Sequence, residues 1–219
     1  MNMHPLYNKF EKFLEAENKE KSVDFILSKL DSGELDVLTV YTELLTPSLN
    51  QPFCQEGEEI CIWKEHIRTS IVRTIIESCY SYLIKEIKNK GIQQLNKKVL
   101  VVCPSEEYHE LGARMVSDFF TYVGLKSIYI GANTPKEEIV SAIEYFGPDM
   151  VAISVTNYFH LVEVRKIIEL IRKKQKFNGK IIVGGNAFQK KPEIYKQLGA
   201  DALLQSFEDI KNLVEAEIK

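Results

Sequence analysis

The chain has 219 residues, of which 45% are hydrophobic and 27% are charged, and its formal net charge is -3 at pH 7. This composition is typical of folded globular domains, and it argues against disorder and against a nucleic-acid surface built on charge alone. No stretch approaches the roughly 18 apolar residues of a membrane span, and the N-terminus lacks the apolar core of a secretion signal. We therefore expect a cytoplasmic protein that does not enter a membrane.

Up to about residue 92, apolar residues recur at the spacing of α-helices. Helices are predicted from the segments FEKFLEA, SVDFILSKL and LDVLTVYTELLTPSL and from a long stretch over 58–90. Pro47 and Pro52 are expected to end the third of these helices. We interpret residues 1–92 as a helical bundle.

From residue 93 onward, short apolar runs alternate with amphipathic segments. The predicted strands are KVLVVC, KSIYIG, MVAISV and KIIVGG, with DALLQ as a weaker fifth. Such runs fill parallel strands that are buried on both faces, and the segments between them have the period of helices. Strands separated by helices specify right-handed crossovers. The predicted fold of residues 93–219 is therefore α/β, a flavodoxin-like (Rossmann-type) doubly wound parallel sheet.

The four cysteines are Cys54, Cys61, Cys79 and Cys103, and no two of them have the C-x-x-C spacing of a zinc site. We interpret them as reduced thiols that are mostly buried. A structural zinc site is therefore not expected.

Three groups of polar or small residues follow the predicted strands at their carboxyl ends, where open α/β sheets bind ligands. In strand order they are Glu107 with His109 and Gly112, Ser154 with Thr156, and Gly184 with Gly185. Glu107 and His109 are two residues apart, so their side chains can point to the same side of an extended turn. A carboxylate placed there would fix the tautomer of a metal-bound imidazole. Glycines at a strand end lack Cβ atoms and would leave room for a slot.

This arrangement resembles the cobalamin-binding domain family, whose signature is Asp or Glu-x-His-x-x-Gly, then a downstream serine, then Gly-Gly. Here it reads Glu107-Tyr108-His109-Glu110-Leu111-Gly112, then Ser154-Val155-Thr156, then Gly184-Gly185. The resemblance implies that His109 is the lower axial ligand of cobalt in place of the cofactor's own base, with Glu107 as its partner. It also implies that the displaced nucleotide tail enters a pocket lined by Ser154, Thr156, Gly184 and Gly185, and that Tyr108 and Gly112 contact the cofactor.

Each of these features alone has a plainer structural interpretation. A histidine at a turn is usually a satisfied polar residue, and Gly-Gly after a strand is usually a turn. Their joint occurrence at three strand ends favours a corrinoid site over another ligand of a flavodoxin-like domain. A haem or another tetrapyrrole held through His109 is an alternative. Tyr158 and His160 follow Ser154, and they either border the corrin or simply begin a helix.

In the same family a helical bundle before the sheet forms a cap over the upper face of the cofactor, and two subfamilies compete here. Corrinoid methyl carriers typically read D-x-H-D-I-G-K-N, and this chain lacks the asparagine. The segments EEYHELGARM and YIGANTP are similar instead to cobalamin-dependent photoreceptors and light-responsive transcription regulators of the CarH type. The resemblance therefore favours a regulator over a carrier.

Regulators of the CarH type carry a tryptophan in the bundle, then nine residues, then a Glu-His pair. The pair is present as Glu65-His66, but the tryptophan position is Gln55, and Glu56 occupies the position of the histidine that caps cobalt after photolysis. The one tryptophan, Trp63, lies elsewhere. Because of these differences, we do not expect light to produce the usual adduct in which two histidines bind cobalt.

The resemblance still implies that Ile62, Glu65 and His66 line the space above cobalt, where a 5′-deoxyadenosyl group would sit. An exposed helical Glu-His pair is the alternative interpretation. His66 or Cys54 is a candidate substitute for the missing capping histidine.

The leading hypothesis from the sequence is a cobalamin-binding sensor with adenosylcobalamin as its expected cofactor and methylcobalamin as the other candidate. No basic recognition helix is visible, so we expect no direct nucleic-acid binding and an output through homo-oligomerisation or a separate effector protein. The alternative is a corrinoid subunit that shuttles methyl groups between two methyltransferases.

Overall fold

The computed structural model describes residues 5–51, 62–174 and 177–218. The chain forms two compact units, Met1–Gly91 and Ile92–Lys219. None of the helices in the described ranges is long and apolar enough to cross a membrane.

The N-terminal unit is built of helices around an apolar core. Its helices α1 to α5 are, in order, Tyr7–Glu15, Lys19–Asp31, Val37–Thr39, Thr46–Asn50 and Ile62–Asn89, and a π-helical turn over Val40–Leu45 joins α3 to α4. Short polar residues start the helices: Asn18 accepts a hydrogen bond from the Lys21 N–H, and Asp36 accepts one from the Thr39 N–H. The largest fully buried side chains of this unit include Phe10, Ile26, Tyr41, Leu44 and Ile75.

Pro47 does not end the third helical segment as expected, because the chain stays helical to Asn50. The π-helical turn ends at Leu45, so Pro47 falls in the first turn of α4. A proline is tolerated in a first turn, where its missing N–H would have no helical partner. Pro52 lies outside the described residues.

In the described part of the C-terminal unit, five parallel strands form one sheet in the order β2-β1-β3-β4-β5. Strands β1 to β5 are Lys98–Pro104, Lys126–Thr134, Met150–Ser154, Lys180–Gly184 and Ala202–Leu204. The connecting helices α6 to α10 are Leu111–Tyr122, Lys136–Phe146, Leu161–Lys173, Ile194–Gln197 and Phe207–Ile218. This strand order is that of flavodoxin-like sheets, so the predicted fold is confirmed.

Helices cover both faces of the sheet. On one face α7 and α8 pack against every second strand residue, in a core that includes Leu100, Val102, Val151, Ile153, Ile181 and Val183. The alternate residues of the same strands are buried as well, among them Val99, Val101, Ala152 and Ile182. Near the other face α6 and α10 meet through Phe119 and Phe207, whose ring centroids are 5.2 Å apart. Burial on both faces explains why the strands are continuous apolar runs.

Candidate functional site

The carboxyl ends of β1 and β3 form the point where the sheet changes direction. These strands are neighbours, but β1 connects to β2 on one side and β3 connects to β4 on the other. Loops that leave such a switch point diverge and open a crevice, which is where doubly wound sheets bind ligands. Glu107 and His109 lie in the loop after β1, and Thr156 to His160 lie in the loop after β3.

Glu107 is the buried centre of this site, with 0% of its surface exposed. Its Oε1 accepts the backbone N–H of His109 at 3.1 Å and lies 2.6 Å from Nδ1 of the same residue. Its Oε2 accepts the backbone N–H groups of Thr156 at 2.8 Å and of Asn157 at 3.1 Å. One carboxylate therefore ties the loop after β1 to the loop after β3.

These contacts fix the charge of Glu107. Burial by itself would raise the pKa of this carboxyl, but the hydrogen bonds from the His109 ring and from the Asn157, Thr156 and His109 N–H groups lower the pKa to about 2. The side chain is therefore ionised at neutral pH and can only accept hydrogen bonds. Any imidazole nitrogen that faces it must carry a proton.

His109 is the residue best placed to bind a metal. Its Nδ1 carries the proton donated to Glu107, so Nε2 holds the lone pair that could coordinate a metal. The ring is 54% exposed, so a ligand can reach it. In the described ranges no group of three or more His, Cys, Asp or Glu could hold a metal ion together. A metal bound by His109 would have to bring most of its other ligands, as cobalt in a corrin ring does.

A second imidazole contacts the same carboxylate. Nδ1 of His160 lies 3.3 Å from Oε2 of Glu107, and the ring is 18% exposed. His160 ends the 3₁₀ turn Tyr158–His160, and Asn157 begins this turn by accepting the Phe159 N–H. His160 is also the residue that precedes α8, so it begins a helix, as one sequence interpretation held. It also supports Glu107, which the sequence did not indicate.

The two strand-end glycines are required by the protein's own backbone. A Cβ atom on Gly184 would lie 2.7 Å from the carbonyl oxygen of Leu204. At Gly185, φ is +100°, and a Cβ atom would lie 2.3 Å from the carbonyl oxygen of Val155. Both contacts are closer than van der Waals packing allows, so side chains are excluded even without a ligand. Whether Ser154, which pairs with Gly184, and these glycines also line a slot for a nucleotide tail stays a prediction.

The surface beside His109 is open and partly apolar. No atom lies within 4 Å of a Cβ built on Gly112, in the first turn of α6. Tyr108 and Val162 are exposed, and 82% of the Phe159 surface is exposed. Exposed apolar groups in the loop after β3 and at the start of α8, together with an oriented imidazole in the loop after β1, fit a large and mostly apolar ligand. Tyr108 and Gly112 follow from the sequence motif, whereas Phe159 and Val162 do not.

A cysteine at the end of β1 does not compete with His109 for a metal. Burial, and then the charges of Glu107 and Glu110, raise the pKa of the Cys103 thiol to about 12. The thiolate is the form that binds metals, and Cys103 is a neutral thiol at neutral pH. Nearby, the Tyr129 hydroxyl donates a hydrogen bond to Glu110 at 2.7 Å. Cys79 is buried and reduced as well, and Cys54 and Cys61 lie outside the described residues.

The remaining predicted contacts belong to the N-terminal unit. Ile62, Glu65 and His66 lie at the start of α5, where Ile62 and His66 are exposed and Glu65 is half-buried. Gln55 and Glu56 lie outside the described residues. A role of this helix start above cobalt stays a prediction.

Comparisons with known proteins agree with this geometry. Residues 97–214 match the family model of the B12 binding domain. The structure is similar to that of the monomethylamine corrinoid protein of Methanosarcina barkeri, with a TM-score of 0.78 and 16% identity over 98% of each chain.

Two further structures are similar at lower TM-scores. A cobalamin-binding protein of Desulfitobacterium hafniense has a TM-score of 0.51 and 15% identity over 96% of this chain and 97% of that one. The methanol:cobalamin methyltransferase complex of Methanosarcina barkeri has a TM-score of 0.52 and 14% identity over 95% of this chain and 78% of that one. At such identities the likeness concerns the fold alone, and no curated protein matches by sequence. Because the family model covers more than half of the sequence, including both loops that hold Glu107, the chain belongs to the B12 binding domain family.

Proposed function

We propose that the chain binds a corrinoid whose own lower base is displaced, and that Nε2 of His109 is the lower axial ligand of cobalt. The observation that carries this proposal is the buried carboxylate of Glu107, 2.6 Å from Nδ1 of a half-exposed histidine. A metal-bound imidazole that donates its other N–H to a carboxylate is held in one orientation and is a stronger donor. Once bound, the corrinoid supplies the cobalt-centred group transfer.

The residues of the chain hold and orient the cofactor in this proposal. Glu107 keeps the proton on Nδ1 of His109, and the N–H groups of Thr156 and Asn157 keep Glu107 ionised. The open surface at Gly112 accepts the corrin edge. The displaced nucleotide tail goes to the strand ends at Ser154, Thr156, Gly184 and Gly185. Residues 93–219 are then the cobalamin-binding domain, and residues 1–92 are its helical cap.

We further propose that the loaded protein is the corrinoid subunit of a methyl-transfer system, with a methyltransferase as its partner. The support is the extent of the structural likeness, because 98% of this chain aligns with 98% of the monomethylamine corrinoid protein. The likeness therefore includes the helical unit as well as the sheet. This likeness supports the methyl carrier, the second of the two functions that the sequence offered, and we adopt it as the proposed function.

The sensor remains a second candidate because of one pair of residues. Glu65 and His66 match the Glu-His pair of the cobalamin-dependent photoreceptors, and His66 is exposed at the start of α5. Adenosylcobalamin is the cofactor expected in this case, and the output is a change of oligomeric state or of an effector protein. A light response belongs to this candidate alone.

Electron paramagnetic resonance of the protein loaded with Co(II) cobalamin tests the ligand proposal. A nitrogen ligand splits the cobalt signal, and labelling the protein's histidines with ¹⁵N changes the splitting only if the ligand is a protein imidazole. We expect the label to change the splitting in wild type and in His66→Ala. In His109→Ala we expect the label to have no effect. A wild-type splitting that ignores the label, or a label-dependent change that survives in His109→Ala, would refute ligation by His109.

Native mass spectrometry in the dark and after illumination separates the two candidate functions. The adenosylcobalamin-loaded protein of a carrier keeps its oligomeric state under light, even though light removes the adenosyl group, whereas a light-driven sensor assembles or dissociates. A light-dependent oligomeric state that His66→Ala abolishes would overturn the carrier in favour of the sensor.

A further inference from the structure

Two non-glycine residues beside the site have left-handed backbone conformations. Glu106, next to Glu107, has φ of +65°, and Asn133, near the end of β2, has φ of +49°. Side chains with a Cβ atom rarely adopt this region, and asparagine tolerates it better than most. Residues held there mark places where the surrounding structure imposes the conformation, often at functional sites. Asn133 belongs to the segment YIGANTP.

Asn133 holds both ends of the dipeptide Glu106–Glu107. Its side-chain Oδ1 accepts the backbone N–H of Glu106 at 2.8 Å. Its own backbone N–H donates to the carbonyl oxygen of Glu107 at 3.0 Å. The two hydrogen bonds use the side chain and the main chain of one residue. They fix the peptide group that precedes the Glu106 Cα and the peptide group that follows the Glu107 Cα. We call this pair of bonds the Asn133 clasp.

An irregularity of the sheet brings Asn133 to this position. The pairing of β1 with β2 shifts twice, because Val101 is opposite Tyr129, Val102 is opposite Gly131 and Pro104 is opposite Thr134. Each shift adds one residue on the β2 side, and the strand end can therefore bend over the loop that follows β1. Asparagine meets both local requirements, because it tolerates a positive φ and supplies an acceptor.

We propose that Asn133 is a positioning residue of the corrinoid site, which acts through Glu107 on the tautomer of His109. This inference rests on the proposed role of His109 as cobalt ligand. The Glu107 carboxylate reaches the His109 ring on one side and the Thr156 N–H on the other, so its Cα must be fixed from the backbone. The clasp fixes it. Without the clasp, Glu106 relaxes from its left-handed conformation and the carboxylate turns away from the ring.

Two substitutions separate positioning from folding. Asn133→Gly keeps the left-handed backbone accessible but removes the acceptor for the Glu106 N–H. Asn133→Asp keeps an acceptor oxygen at the same place and is the conservative variant. The matched control is Glu17→Gly, because Glu17 is another exposed non-glycine residue with positive φ, at 54°, in the N-terminal unit.

The first readout uses the protein without cofactor. The ¹⁵N chemical shifts of the His109 ring report which nitrogen carries the proton, and in wild type we expect it on Nδ1. In Asn133→Gly we expect a mixture of the two tautomers, with Asn133→Asp and Glu17→Gly like wild type. Asn133→Gly with the wild-type tautomer would overturn the inference, even if its unfolding temperature falls, because the residue would then be merely structural.

The second readout is affinity for cobalamin, measured by titration in the dark. Loss of one hydrogen bond behind the ligand is expected to weaken binding about threefold to tenfold in Asn133→Gly and to leave Asn133→Asp near wild type. Equal affinity in all variants would also overturn the inference. If wild type itself shows no ligation by His109, the proposed function fails, but the tautomer measurement still decides whether the clasp orients the ring.

Discussion

Replacing Glu107 by glutamine keeps the shape of the side chain and removes half of its capacity to accept hydrogen bonds. In wild type Oε1 accepts two donors from His109, and Oε2 accepts the Thr156 and Asn157 N–H groups and faces Nδ1 of His160. A glutamine has one acceptor oxygen and one donor NH₂ group. Whichever way the amide is turned, its NH₂ group faces donors at a fully buried position.

The pKa of Glu107 gives the size of the effect. A carboxyl group whose ordinary pKa is 4.5 has a pKa of about 2 in the folded protein, and the side chain is fully buried. At roughly 1.4 kcal/mol per pH unit, this difference amounts to about 3–4 kcal/mol of folding stability at neutral pH. We expect Glu107→Gln to lower the free energy of unfolding of the C-terminal unit by about this amount.

The effect has a defined pH dependence. Because the folded state lowers the pKa, the contribution of Glu107 is fully present above pH 4.5 and is lost as the pH falls from 4.5 through about 2. Wild type should therefore lose stability over this range, and Glu107→Gln should lose less. The difference between the two proteins narrows as the pH falls.

Urea unfolding followed by the NMR methyl signals of the sheet isoleucines measures the stability of the C-terminal unit separately. The control is Glu138→Gln, since Glu138 is exposed on α7 and its replacement should change the stability by less than about 0.5 kcal/mol. If Glu107→Gln is as stable as wild type at neutral pH, the carboxylate does not hold the two loops together, and the account of the site is refuted.

Further outcomes at three positions follow from the local geometry. Gly185→Ala should destabilise the C-terminal unit by about 1–3 kcal/mol in urea unfolding, since its Cβ would lie 2.3 Å from the Val155 carbonyl oxygen at a φ of +100°; unchanged stability would contradict this contact. Gly112→Ala should stabilise α6 by about 0.5–1 kcal/mol, because no atom lies within 4 Å of the new methyl group. The same variant should weaken corrinoid binding in a spectroscopic titration, and undiminished affinity would remove Gly112 from the ligand contacts. Cys103, with a pKa of about 12, should resist iodoacetamide in the folded protein and react after unfolding, as peptide mass spectrometry can show; labelling of the folded protein would contradict its burial.

The sheet could be predicted from the sequence because its strands are buried on both faces. The segment KVLVVC begins at Lys98, where β1 begins, and KIIVGG begins at Lys180, where β4 begins. Sustained apolar runs that alternate with helical segments are compatible with few folds other than a parallel sheet covered by helices. The continuation of the helix through Pro47 could not be predicted, because it depends on a π-helical turn that places the proline at a new helix start.

The site could be predicted only as far as its side chains carry a signature. The spacing of Glu107 and His109 suggested their contact, and the structure places their atoms 2.6 Å apart. The N–H of Asn157 that donates to Glu107 is a backbone group, which every residue except proline has. The residue type at position 157 therefore could not predict this hydrogen bond. For Gly185, the motif suggested space for a ligand, whereas the structure shows a close approach of the Val155 backbone.

The bond between Glu107 and the Thr156 N–H joins residues 49 positions apart in the chain. During synthesis, the loop with His109 leaves the ribosome well before β3 does, and until β3 pairs with β1 nothing ties Glu107 to the loop that completes its set of donors. Long-range pairing of this kind forms late, after the closure of the intervening segment. We therefore expect an incomplete chain to expose His109 before Glu107 is held by its full set of donors, and we expect cofactor to load only onto molecules whose sheet has already assembled.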